Sequence, residues 1–152
     1  MLFLLVKWIH VLSAITAVGA NITYGIWIVR ASREPAVLPF VLRNIKLIDD
    51  WVANPLYALL LLTGLTMVFI LPLPLTTPWL TTALVLYAIA TLLGMAVFVP
   101  VFRRRVRLLE TEGLDSPGYR AAAKQSTVLG IVVGIDVLII VFMMVVKPPL
   151  WA

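Results

Sequence analysis

Long apolar stretches alternate with polar segments along the chain, and four of them are long enough to cross a membrane. A helix needs about 20 residues to span the roughly 30 Å hydrocarbon core of a bilayer. The stretches lack the strict alternation of barrel strands, and lipid offers an unpaired backbone no partners, so helices are predicted. The predicted spans are approximately 2–29, 51–71, 79–102 and 126–146. We therefore predict an all-α fold, a four-helix bundle that forms a single transmembrane domain over residues 1–152.

The first apolar stretch has a second interpretation, a cleaved signal peptide. The apolar core of such a peptide has about 7–15 residues and ends at a small-residue cleavage site. Here the apolar run continues through ITYGIWIV as far as Arg30. A retained transmembrane helix is therefore the favoured interpretation.

Two of the three connecting segments are long, polar and basic. In the first, apolar and charged residues interleave after Pro39, which indicates a short amphipathic helix lying at the membrane interface. In the other, the third helix is predicted to continue past residue 102 through the arginines and to end before a turn at DSPG, residues 115–118. The connection between the second and third spans, PLPLTTP, is short and uncharged.

Composition and charge agree with a membrane location and predict an orientation. Hydrophobic residues make up 62% of the chain and charged residues only 12%, whereas a soluble protein has about 25% charged residues. The net charge of +5 suggests topology rather than nucleic-acid binding, because the basic residues flank apolar runs. Ten of the 12 lie in the two long connections: Arg30, Arg33, Arg43, Lys46, Arg103, Arg104, Arg105, Arg107, Arg120 and Lys124. The positive-inside rule then places both connections in the cytoplasm and both termini outside.

Two ionisable residues, Lys7 and His10, interrupt the first apolar stretch, and His10 is the only histidine in the chain. His10 lies roughly 12 Å from the outer end of the predicted helix. It shares one helix face with polar or small residues: Lys7, Ser13, Ala17, Asn21 and Tyr24. Because small and polar residues mark helix contacts in membranes, this face is predicted to point into the bundle. Simple packing, with His10 hydrogen-bonded to another helix, and a ligand site both fit this pattern.

The predicted fourth span contains a single acid, Asp136, roughly 16 Å from its outer end. Gly130 and Gly134 precede it with the small-residue spacing that permits close helix approach. Asp136 is predicted either to pair with His10 or Lys7, fixing the helix register, or to act as a proton-relay residue.

The residue types restrict the chemistry that is available. There is no cysteine, and one histidine with one membrane acid cannot form a zinc site. No serine accompanies His10 in a recognisable nucleophile arrangement, and no phosphate-binding loop is present. Haem remains compatible, because one axial histidine suffices and four-helix bundles commonly hold such groups. In that interpretation His10 is the iron ligand, Lys7 pairs with a propionate, and Ser13 and Ala17 leave room for the porphyrin.

The chain also resembles a bacterial family of four-helix integral membrane proteins, domain of unknown function 2269, over nearly its whole length. The matching segments are KWIHVLSA (7–14), NPLYALLLLTG (54–64), PWLTTALVLYAIATLLG (78–94) with Pro100 and the following arginines, and FMMVVKP (142–148). More distantly, KWIHVLSA is similar to the first helix of HemJ-type protoporphyrinogen oxidases and of copper-resistance D membrane proteins. The resemblance implies the bacterial inner membrane and, for His10, a ligand to haem b. Those oxidases carry a lysine after the Trp-Leu pair, whereas Thr81 follows Trp79-Leu80 here, so the oxidase reaction is not carried over.

Two classes of function follow, and the residues define no reaction in either of them. The first is a haem-binding membrane protein that transfers electrons or serves as a subunit of a membrane redox complex. The second is a cofactor-free protein, such as a small transporter, a proton-relay subunit or an assembly factor. The expected partners are the lipid bilayer and either other redox subunits or further copies of the chain, with no nucleic acid.

Overall fold

Six α-helices make up most of the chain in the computed structural model, which describes residues 1–151, and no β-strand occurs within that range. The helices are α1 (Leu2–Ala31), α2 (Leu38–Ile48), α3 (Asn54–Ile70), α4 (Pro78–Leu92), α5 (Val99–Glu112) and α6 (Pro117–Val146). Four continuous helical stretches are long and apolar enough to cross a membrane, namely Leu2–Ala31, Leu38–Ile70, Pro78–Glu112 and Pro117–Val146. The all-α fold with four potential spans is therefore confirmed.

Two short π-helical segments each join two helices. The sequence suggested that the first two helices were separate and that the other two formed one uniform helix. Asp49–Ala53 links α2 to α3, and Leu93–Phe98 links α4 to α5. The second residue after each segment is a proline, Pro55 or Pro100. A proline inside a helix removes one backbone hydrogen bond and clashes with the carbonyl four residues earlier. The wider π turn takes up this defect, so both helices continue through their prolines.

The amphipathic helix predicted after Pro39 is present as α2, but it does not stand apart from the second span. Its last residue, Ile48, leads directly into the π-helical segment and so into α3. The expected extension of the third helix is confirmed, since α5 continues to Glu112. Gly113 then adopts a φ of 81°, which is readily available only to glycine, and ends the helix. Ser116 caps α6 by accepting a hydrogen bond from the Tyr119 backbone N–H at 3.0 Å.

The chain divides into two units. The first comprises residues 1–33 and 40–75, and in it α1 packs against α3. The buried residues of α1 and α3 are small or polar, as expected where helix backbones approach closely in lipid, and they include Ser13, Ala17 and Thr63. The second comprises residues 34–39 and 76 onwards, and in it α4 and α5 both pack against α6.

Large apolar side chains are exposed along the outer faces of the long helices. Leu4 and Ile15 on α1, Phe69 on α3 and Val145 on α6 are each more than 60% exposed. A water-soluble protein rarely exposes contiguous apolar surface on this scale. These faces are suited to contact with lipid acyl chains.

Candidate functional site

His10 lies on the face of α1 that contacts α3, and its imidazole is hydrogen-bonded to that helix. The imidazole Nδ1 is 2.9 Å from the Thr63 hydroxyl oxygen. That hydroxyl donates its only proton to the backbone carbonyl of Leu59, at 2.7 Å. When the hydroxyl donates to this carbonyl, it accepts from Nδ1–H, and the lone pair of the neutral imidazole is then on Nε2. The Leu60 carbonyl lies 3.3 Å from the same hydroxyl and is a second acceptor for it.

A glycine on α3 provides the space in which the imidazole lies. A Cβ at Gly64 would be 3.3 Å from His10 Cε1, which is tighter than most real contacts of a Cβ atom, and 3.8 Å from Nδ1, which is ordinary van der Waals contact. An alanine here would require the ring to move by a few tenths of an ångström. Thr63 and Gly64 lie in a segment that carries the family resemblance but were not predicted to be part of the site. The adjacent pair in LLTGL offered a signal, a hydroxyl and a small residue side by side within a membrane span.

The remaining residues of the polar face on α1 have different environments. Ser13 and Ala17 are buried, with 3% and 0% of their surface exposed, so they serve close helix contact. Farther along the helix, the Asn21 side-chain amide donates to the Tyr57 hydroxyl of α3. Lys7 is exposed, one turn from His10 towards the N-terminus of α1. The contacts of His10 and Asn21 confirm that this face of α1 packs on another helix.

Asp136 lies on α6, in the second unit, and one of its carboxylate oxygens is buried. This oxygen, Oδ2, has no hydrogen-bond partner among residues 1–151. Its predicted pairing with His10 or Lys7 stays a prediction. Of the two glycines before it, a Cβ at Gly130 would lie 3.5 Å from the Phe98 ring, whereas one at Gly134 would meet no described atom within 4 Å. Close approach to a neighbouring helix is thus seen at Gly130 but not at Gly134.

The long apolar helices, their exposed aliphatic surfaces and their small or polar contact faces define the class of the molecule: it is a multi-span integral membrane protein. The chain belongs to the family described as predicted integral membrane protein, domain of unknown function 2269, whose pattern matches residues 4–148. No curated protein and no solved structure matches the chain.

Proposed function

We propose that this protein binds haem b in the bacterial inner membrane, with His10 as an axial iron ligand, and that it transfers electrons or serves as a subunit of a membrane redox complex. The observation that carries the proposal is the hydrogen bond between His10 Nδ1 and the Thr63 hydroxyl, which fits a neutral imidazole that donates from Nδ1–H. Histidines that bind metals almost always donate their other ring N–H to a fixed acceptor, which sets the tautomer and the ring orientation. Thr63 supplies that acceptor and leaves the Nε2 lone pair for iron.

The donor set fits a haem with one histidine ligand, and each neighbouring residue has a distinct role in the proposal. Lys7 is exposed, so its ammonium group is free to pair with a propionate outward of His10. Ser13 and Ala17 are buried, so they hold α1 close to α3 rather than provide space for the macrocycle. His10 is half-buried, so part of its ring is accessible and would hold the iron of a bound haem. Bound haem supplies one-electron chemistry, and the chain positions its iron and excludes water.

A second function, proton relay in a cofactor-free membrane protein, is favoured by Asp136. A carboxylate within a membrane span is costly, and one without a hydrogen-bond partner at Oδ2 is costlier still. Residues of this kind commonly mark proton or ion pathways. This alternative requires no haem, so the same experiment separates the two functions.

The test is the visible absorption spectrum and haem content of the protein purified from cells supplied with a haem precursor. The wild-type protein is expected to show a Soret band, and the His10→Ala variant is expected to lose it. Val11→Ala, which shortens the exposed next residue of α1, is the matched control and should retain the band. A colourless wild-type protein, or a His10→Ala variant with unchanged haem content, would refute haem ligation and leave the Asp136 pathway as the better account.

A further inference from the structure

A buried arginine in the second unit has no charged partner. Arg105, on α5, has only 4% of its surface exposed. Its Nη1 donates to the Ser126 hydroxyl of α6 at 3.1 Å, and its guanidinium carbon lies 5.8 Å from the centre of the Tyr119 ring. Its Nε has no hydrogen-bond partner within residues 1–151. No carboxylate in that range forms a salt bridge with it.

A bound anion would stabilise this buried guanidinium group. A guanidinium group keeps its charge at all accessible pH values and presents five N–H donors in a planar fork. One hydroxyl oxygen and one aromatic face leave the buried Nε–H without an acceptor. Burying an ion without a counter-charge is among the costliest arrangements in a protein. A bound anion at the Nε edge would supply both the counter-charge and the missing acceptors.

The position of Arg105 along its helix indicates which anion is within reach. It lies three residues, or roughly 4.5 Å, beyond Phe102, where the apolar part of the third span ends. Ser126, its partner, stands where the apolar part of the fourth span begins. We therefore expect both residues to lie near the lipid headgroups, whose phosphates match the guanidinium fork.

The exposed arginines on the same helix strengthen the local positive field. Arg103, Arg104 and Arg107 are all exposed, and none of them forms a salt bridge within residues 1–151. Such a cluster raises the concentration of anionic lipid in the adjacent headgroup layer. The exposed arginines therefore attract the headgroup, and the buried one can bind its phosphate specifically.

We propose that Arg105, held by Ser126 and Tyr119, binds the phosphate group of one anionic phospholipid at the end of the α5–α6 hairpin. The side chain is long and has several rotatable bonds, so a small outward displacement exposes the unpartnered Nε to a headgroup while Nη1 stays near Ser126. The site is independent of haem and does not rest on the function proposed above.

The test is a titration of the full-length protein with phosphatidylglycerol, using native mass spectrometry to count bound lipid. Arg105→Gln is expected to weaken binding of the first lipid about tenfold or more, as for loss of a charged hydrogen bond. Arg104→Gln, which removes the same charge from the exposed surface one residue away, should weaken it no more than about fivefold. Equal losses in the two variants would overturn the proposal, because the effect would then be one of surface charge alone.

Two further arms keep the result decisive. If Arg105→Gln does not fold, Arg105→Lys is compared with Arg104→Lys. Arg105→Lys should weaken lipid binding, because lysine keeps the charge but lacks the planar guanidinium group, whereas Arg104→Lys should not. Inorganic phosphate is added to protein in phosphatidylcholine as the last arm. If the site binds a lipid, free phosphate should occupy it only weakly. Tight binding of free phosphate that depends on Arg105 would show that the anion is not supplied by a lipid.

Discussion

The hydrogen bond between His10 and Thr63 makes a quantitative prediction about the first unit. Thr63→Val keeps the shape of the side chain but removes the acceptor for His10 Nδ1–H. A net hydrogen bond contributes about 1 kcal/mol to stability, and interhelical hydrogen bonds in a membrane average about 0.6 kcal/mol with a maximum near 1.7. Because His10 is half-buried, we expect a coupling of about 1 kcal/mol between the two side chains.

The same helix offers a matched control. The hydroxyl of Thr66 donates to the Leu62 carbonyl at 2.7 Å, as that of Thr63 does to Leu59. Thr66 is exposed, however, and its hydroxyl has no cross-helix partner within residues 1–151. Thr66→Val therefore measures the loss of the local backbone bond alone, and the excess effect of Thr63→Val reports the contact with His10.

The assay is a double-mutant cycle of Thr63→Val with His10→Leu, followed by reversible unfolding in mixed micelles on addition of sodium dodecyl sulfate. The coupling energy is the difference between the destabilisation of the double variant and the sum of the destabilisations of the two single variants. Sites that do not interact add within about 0.5 kcal/mol. A coupling inside that range, or an equal effect of Thr66→Val, would refute the assigned contact and the tautomer inferred from it.

Three further predictions concern topology, a turn and the membrane acid. Reporter fusions at the C-terminus and at Gly113 should report an external C-terminus and a cytoplasmic turn, and a cytoplasmic C-terminus would contradict the orientation. Gly113→Ala should destabilise the protein by about 1–2 kcal/mol in thermal unfolding, because φ is 81° there, whereas Gly19→Ala, in open space within α1, should not. Asp136→Leu should stabilise it by about 2 kcal/mol in the same assay, because its Oδ2 has no partner in the described residues; a loss of stability would instead show that Asp136 pairs with another helix.

The spans and the contact face of α1 could be predicted because each depends on a periodic property of the sequence. Apolar length alone indicated the four long helices, and the spacing of Ser13, Ala17 and Asn21 indicated the face that packs. The π turns before Pro55 and Pro100 could not be predicted, because hydrophobic periodicity does not report a local change in helix width.

The partner of His10 could not be predicted, for a physical reason. A threonine inside a helix usually bonds its own backbone, and Thr63, Thr66 and Thr91 all do so. Only the packing of α1 against α3 distinguishes Thr63, by bringing His10 to its hydroxyl. In the same way, the sequence does not distinguish Arg105 from its exposed neighbours. Only the packing of α5 on α6 buries it.

Chemical rescue tests the central claim, that the His10 imidazole is an iron ligand, most directly. His10→Gly removes the ligand and leaves a space of its size, into which free imidazole can diffuse. We expect the variant to lack the wild-type Soret spectrum and to regain it when imidazole is added with haem. Val11→Gly should keep the wild-type spectrum, and added imidazole should not alter it. A wild-type protein without haem, or a His10→Gly spectrum that already equals wild type before imidazole is added, would contradict the account.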